Sequence, residues 1–162
     1  MFTPQRSLQS VCSPKCAYTQ IEARKRTEWK QRKETIKKEL LSRSDHLKMA
    51  QTAFNAYIRK RDEGKACISC GTYNGKKNAG HFMSVGSTPE LRFNEDNVHL
   101  QCERCNSFLS GNLLNYRINL IQRIGVDKVD FLERKDHEPC KLTIEEIQAI
   151  TKKYRIKLKN IK

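Results

Sequence analysis

Two cysteine pairs, Cys67-Ile-Ser-Cys70 and Cys102-Glu-Arg-Cys105, enclose 31 residues within a chain of 162. Each pair can occupy two adjacent corners of a tetrahedron, so together they can hold one Zn²⁺. A metal held in this way orders a segment that is too poor in apolar residues to order itself. Residues 65–105 are such a segment, with Gly71, Gly75, Gly80, Gly86 and Pro89 favouring turns and short strands over helix. Gly71 directly after Cys70 suits a knuckle, where the chain turns back so that its amides face sulfur. The cysteine quartet is therefore expected to be a structural zinc site.

Seven cysteines could also suit a secreted disulfide scaffold. The opening Met1-Phe-Thr-Pro-Gln-Arg has no apolar signal-peptide core, and no stretch approaches 18 apolar residues. A reducing cytoplasm with metal-bound thiolates is the better expectation. Net charge is +14, which points to a polyanionic partner. Residues 1–64 carry 15 Lys/Arg against 7 Asp/Glu, residues 112–162 carry 12 against 7, and the cysteine-bearing centre carries 5 against 4. A near-neutral centre between basic arms fits a protein whose arms hold phosphates.

Residues 1–16 read as irregular, with Pro4, Pro14 and the pair Cys12-Ser-Pro-Lys-Cys16. From Tyr18 to Ser44 the composition is that of a solvated, projecting basic helix, laced by Glu22–Arg26, Glu28–Arg32 and Glu34–Lys38 ion pairs. A second helix over 46–62, capped by Ser44 or Asp45, aligns Leu47, Ala50, Ala53, Phe54, Tyr57 and Ile58 on one face. Residues 106–124 are helical apart from Ser110-Gly111, a short helix spans 126–134, and Thr143-Ile-Glu-Glu146 is a capping box opening the last helix. Two domains follow, an N-terminal 1–44 and a main 45–162, with no internal repeat.

Within the cysteine frame lie Gly80-His81-Phe82, Asn97-Val-His99 and, directly after Cys105, Asn106. Hydrolysing a phosphodiester needs a base for water and positive charge at the phosphate. A histidine of near-neutral pKa can be the base, and an asparagine can orient it or ligate a hard cation. Asp136-His137 falls beyond both knuckles and reads as a surface loop, and Cys140 as a buried or idle thiol.

The order of these elements resembles the HNH nucleases, which share a ββα-metal fold. More closely, Cys67-Ile-Ser-Cys-Gly71, Ala79-Gly-His81, Leu91-Arg-Phe-Asn-Glu-Asp-Asn97-Val-His99-Leu-Gln-Cys102 and Ser110-Gly-Asn-Leu113 resemble the NinG/Rap recombination endonucleases of lambda-like phages. Ala53-Phe-Asn-Ala-Tyr-Ile-Arg59 extends the likeness, which covers most of 46–160. The resemblance implies a structure-specific endonuclease acting on Holliday junctions and D-loops in the host cytoplasm. It makes His81 the general base, Asn97 the central asparagine that orients it, and Asn106 a ligand of a catalytic Mg²⁺ or Mn²⁺. Gly80 stands where many HNH enzymes have an acidic ligand, leaving His99, or else Asn78, to complete that site. Ser107-Phe-Leu109 stands where relatives often place Lys or His. Longer relatives carry upstream cysteines that would complete a second zinc site with Cys12 and Cys16, so either the N-terminus is expected to be truncated, the favoured reading, or the pair is vestigial.

The expected architecture is α+β: a zinc-stabilised ββα-metal, treble-clef-like core, flanking helices and a long basic N-terminal helix. Its partner would be branched DNA, gripped through phosphates by basic residues in 24–43 and 152–162. Symmetric cutting of a junction calls for a homodimer, and phage recombination proteins are further expected partners. The competing readings are a non-catalytic zinc module that binds nucleic acid and a restriction-type HNH nuclease acting on linear duplex.

Overall fold

The computed structural model describes residues 10–161, apart from the side chain of residue 38. The irregular stretch around Pro4 and the Glu34–Lys38 pair lie outside the described residues. The chain divides into two units between Ser42 and Arg43.

Among its described residues, the first unit holds one helix, α1, Pro14–Glu39. It begins four residues before the expected start at Tyr18, because proline is favoured in the first turn, where its missing N–H is not needed. Cys16 therefore lies in the helix. From Tyr18 to Leu40 its described side chains are exposed. Glu28 pairs with Arg24 at 3.2 Å, one turn behind it, instead of with Arg32 ahead.

The second unit is helix-rich, with helices α2 (Arg43–Arg61), α3 (Leu113–Ile124), α4 (Val126–Glu133) and α5 (Ile144–Asn160) around two short strands. Strands β1 (Lys77–His81) and β2 (Val98–Cys102) pair antiparallel, with His81 opposite Val98 and Gly80 opposite His99. Side chains alternate along a strand, and cross-strand partners share a face. One face thus carries Ala79, His81, Val98 and Leu100, and the other Asn78, Gly80, His99 and Gln101.

Both faces are covered, which is why all five residues of β2 are buried. On the first face, Ala53, Phe54, Tyr57 and Ile58 of α2 and Tyr154 of α5 pack against Val98. These α2 positions recur at helical spacing, so the hydrophobic stripe read in the sequence is largely the stripe that is buried, with Leu47 at its start only half-buried. On the second, Tyr116 and Leu120 of α3 join Phe82, Leu91, and Val129 and Leu132 of α4. The Thr143 capping box forms as expected: the Thr143 hydroxyl accepts from Glu146 N–H and the Glu146 carboxylate from Thr143 N–H.

Asp62, just past α2, ties the layers together. It is fully buried, binds Arg61 and Lys65 through its carboxylate at 2.8–3.0 Å, and accepts the Leu100 N–H at 3.1 Å. Burial pushes its carboxyl pKa up, but these bonds outweigh burial and hold it well below the usual carboxylate range.

Candidate metal centre and adjoining cleft

The four thiols of Cys67, Cys70, Cys102 and Cys105 converge, their sulfur atoms all within 4.8 Å of one another. Zn–S bonds of about 2.3 Å place tetrahedral sulfurs about 3.8 Å apart. Cys70 Sγ and Cys102 Sγ lie 3.7 Å apart. Gly71, at φ +71°, turns the first knuckle, and its N–H donates to Cys67 O at 2.9 Å. Cys102 N–H points at Cys67 Sγ at 3.3 Å, Cys105 N–H at Cys102 Sγ at 3.5 Å, and the Asn112 amide at Cys105 Sγ at 3.6 Å.

Burial pushes the Cys67 thiol up, but the amides of Cys102, Cys70 and Ser69 prevail and lower it to about 7. Burial pushes Cys105 up to about 12 and also raises Cys70. A divalent cation is what lets four thiolates share the space, and a soft, all-sulfur donor set fits a metal such as zinc.

His81 ends β1, beside a cleft of about 380 Å³ that is also lined by Asn106, Ser84, Ser110, Gly111 and Leu113. Its Nε2 lies 3.1 Å from Arg92 O. A carbonyl can only accept, so Nε2 carries the proton of the neutral ring and the basic lone pair is on Nδ1. Burial lowers the His81 pKa, with the Arg92 carbonyl opposing, so the ring is neutral at physiological pH. Asn106 sits in a π-helical turn, Arg104–Phe108, half-exposed on the same cleft.

Asn97 has a different job from the one expected. It is fully buried; its Oδ1 accepts Met83 N–H at 2.7 Å, and its Nδ2 donates to Met83 O at 3.0 Å and Leu91 O at 3.1 Å. Its amide is spent on backbone, so it braces the loop after β1 and reaches the imidazole only through that backbone.

The expectation that His99 completes a cation site with Asn106 does not fit the register. His99 points to the face opposite His81, does not line the cleft, and lies 4% exposed with Nδ1 3.4 Å from the Tyr116 hydroxyl. Burial drives its pKa down to about 3. Asn78 shares that face. Among the described residues, only the cysteine quartet gathers three or more His, Cys, Asp or Glu donors. The cleft offers an imidazole and an amide without a carboxylate, so its residues do not make a Mg²⁺ or Mn²⁺ site of their own.

The remaining cysteines are not part of this quartet. Cys12 and Cys16 are exposed with their sulfurs 3.3 Å apart, and Cys140 is exposed, not buried. Asp136 pairs with Arg134, and His137 Nε2 lies 3.4 Å from Leu132 O, which keeps both beside the end of α4.

Gln101 is the residue missed in the sequence. Fully buried, it donates from Nε2 to Ser69 Oγ at 2.7 Å and Gly111 O at 2.5 Å, bridging the first knuckle to the cleft wall. A polar side chain in a strand covered on both faces was its signal, visible only once that covering is known.

Fold and site define a helix-rich α+β protein organised on a four-cysteine cluster that can hold a metal such as zinc. The chain matches, over residues 1–162, the family model described as Bacteriophage Lambda NinG protein, and it belongs to that phage protein family. It is 41% identical over 181 aligned positions to protein ninG of Escherichia phage lambda, spanning 99% of this chain and 88% of that one. Protein ninG of Salmonella phage P22 gives the same figures. Protein ninG of Escherichia phage 933W is 47% identical over 124 residues, spanning 76% of this chain and 61% of that one. No solved structure matches. No helix among the described residues is long and apolar enough to cross a membrane.

Proposed function

We propose that the protein is an endonuclease that hydrolyses phosphodiesters in branched DNA, with His81 as general base. The observation carrying this reading is that a neutral imidazole, tethered through Nε2 to the Arg92 carbonyl, shares one cleft with Asn106 directly beside the cysteine cluster. In the proposed step His81 Nδ1 takes a proton from water as the water oxygen bonds to phosphorus. The opposite P–O bond breaks, and the departing oxygen takes a proton from solvent. Asn106 offers its amide to a non-bridging phosphate oxygen. The exposed Lys152, Lys153, Arg155 and Lys159 of α5, together with the basic face of α1, supply phosphate contacts that carry no sequence information.

The lack of a carboxylate in the cleft favours one other reading, a zinc-dependent module that binds nucleic acid without cutting it. A nicking assay on a synthetic four-way junction and a linear duplex of the same sequence, in Mg²⁺- or Mn²⁺-containing buffer, separates these. The endonuclease reading expects junction cleavage by wild type and its loss, by a factor of at least about 100, in His81→Ala. Unchanged cleavage by that variant sinks the assignment of the base. Tight binding without cleavage by wild type establishes the module, and equal cutting of linear duplex a restriction-type enzyme. Activity should fall in acid as His81 gains a proton, at a lower pH than for a freely exposed histidine because burial lowers its pKa.

A further inference from the structure

The turn that carries Asn106 presents an apolar surface that folding does not use. Phe108 is 77% exposed, Leu109 47%, Leu113 49% and Leu114 76%, and Leu113 lines the cleft. The backbone behind them is held in an unusual shape. Ser110, Gly111 and Asn112 have φ of 46°, 90° and 44°, a left-handed run that non-glycine residues rarely adopt.

The run is pinned from below. Gly111 O accepts from Gln101 Nε2 and Ser69 Oγ, Gly111 N–H donates to Cys105 O, and Asn112 reaches Cys105 Sγ. Leu109 N–H closes the wide turn on Arg104 O at 2.9 Å, and Arg104 and Phe108 are the first and last residues of that turn, both exposed. Among the described residues the exposed Arg104 side chain has no ion-pair partner. A free guanidinium one turn from an exposed aromatic ring offers a cation for a phosphate and a flat face for a base.

We propose that Arg104 and Phe108 together take one unpaired nucleotide of branched DNA, Arg104 on its phosphate and Phe108 against its base. This rests on the endonuclease reading and adds the source of its preference for branched DNA: a base must be out of its stack to reach Phe108. A second copy of the chain is the weaker occupant. The four apolar side chains expose on the order of 450 Å², against about 800 Å² that each partner buries in a stable interface.

The test uses the full chain with a four-way junction carrying 2-aminopurine at the branch, and a linear duplex of the same sequence. Wild type should brighten the probe. Phe108→Ala should lose that signal and about tenfold in junction affinity, with linear duplex unaffected, and Phe108→Trp should restore both. Arg104→Ala should weaken both substrates and lower the salt dependence of binding. Unchanged junction affinity in Phe108→Ala overturns the proposal, as does an equal loss on both substrates. A dimer that Phe108→Ala dissociates, with DNA affinity unchanged, assigns the surface to a second copy. Wild type that binds junctions but does not cut them fails the endonuclease reading alone. Wild type that binds no DNA fails both.

Discussion

Gly80→Ala should be far more costly than a one-carbon change in a strand normally is. The Gly80 backbone is ordinary strand, so the requirement is one of space. A Cβ built there meets Gln101 Oε1 at 2.1 Å, Gln101 Cβ at 2.9 Å and Gln101 Cδ at 3.0 Å. Gln101 cannot swing aside, because it is fully buried and its Nε2 is committed to Ser69 Oγ and Gly111 O. Relieving the clash sacrifices two hydrogen bonds, about 1 kcal/mol each, and overpacks the site by about 1–3 kcal/mol, so roughly 3–5 kcal/mol is at stake. That is a large share of a typical domain's stability.

Gln101→Ala alone should cost only about 1–2 kcal/mol, since it also removes Oε1, a buried acceptor without a partner. Urea denaturation of the metal-loaded single and double variants measures the coupling. In the Gln101→Ala background, Gly80→Ala should lose at least about 2 kcal/mol of its effect. A single variant within about 1 kcal/mol of wild type, or strictly additive costs, would refute the steric argument. The same contact bars any larger side chain at position 80.

Asn97→Ala strands three backbone groups, Met83 N–H, Met83 O and Leu91 O, and should cost about 3 kcal/mol, read as a fall of roughly 10 °C in Tm. Cys102→Ser should lower bound zinc by one ion per chain in a metal-release assay and lose the cooperative unfolding of the second unit, because site formation contributes about 10 kcal/mol or more. His99, near pKa 3 when folded against a reference of 6.5, binds fewer protons folded than unfolded between those values. Its contribution is therefore present above pH 6.5 and fades as pH falls, by at most about 1.4 kcal/mol per unit, a slope that His99→Gln should flatten in acid titrations of stability.

Much of the scaffold was legible because its signals are local. The Thr143 box, the α2 stripe and the break at Ser110-Gly111 each depend on residues a few positions apart, and each appears where it was expected. The cysteine quartet was legible for a related reason. Thiolate pairs at CxxC spacing have few uses in a reducing compartment, and pairing them across 31 residues needs no knowledge of the path between. Helix α1 is legible too, but its start is not, because Pro14 lies in a stretch that reads as irregular yet opens the helix.

What lay out of reach was the direction of side chains in the two strands. A shift of one residue in register sends every side chain to the other face, and no local feature of Ala79-Gly-His81 or Val98-His99 states that register. It is set by what covers each face: Phe54 and Tyr57 on one side, Tyr116 on the other. Tertiary packing therefore decided that His81 joins Asn106 at the cleft while His99 is sealed against Tyr116, and that Asn97 braces backbone. By itself the sequence determined that four thiols converge and which helices surround them, since spacing and periodicity suffice for that. The choice of histidine was made by close packing across a two-residue-thick ribbon, a property of the assembled fold alone.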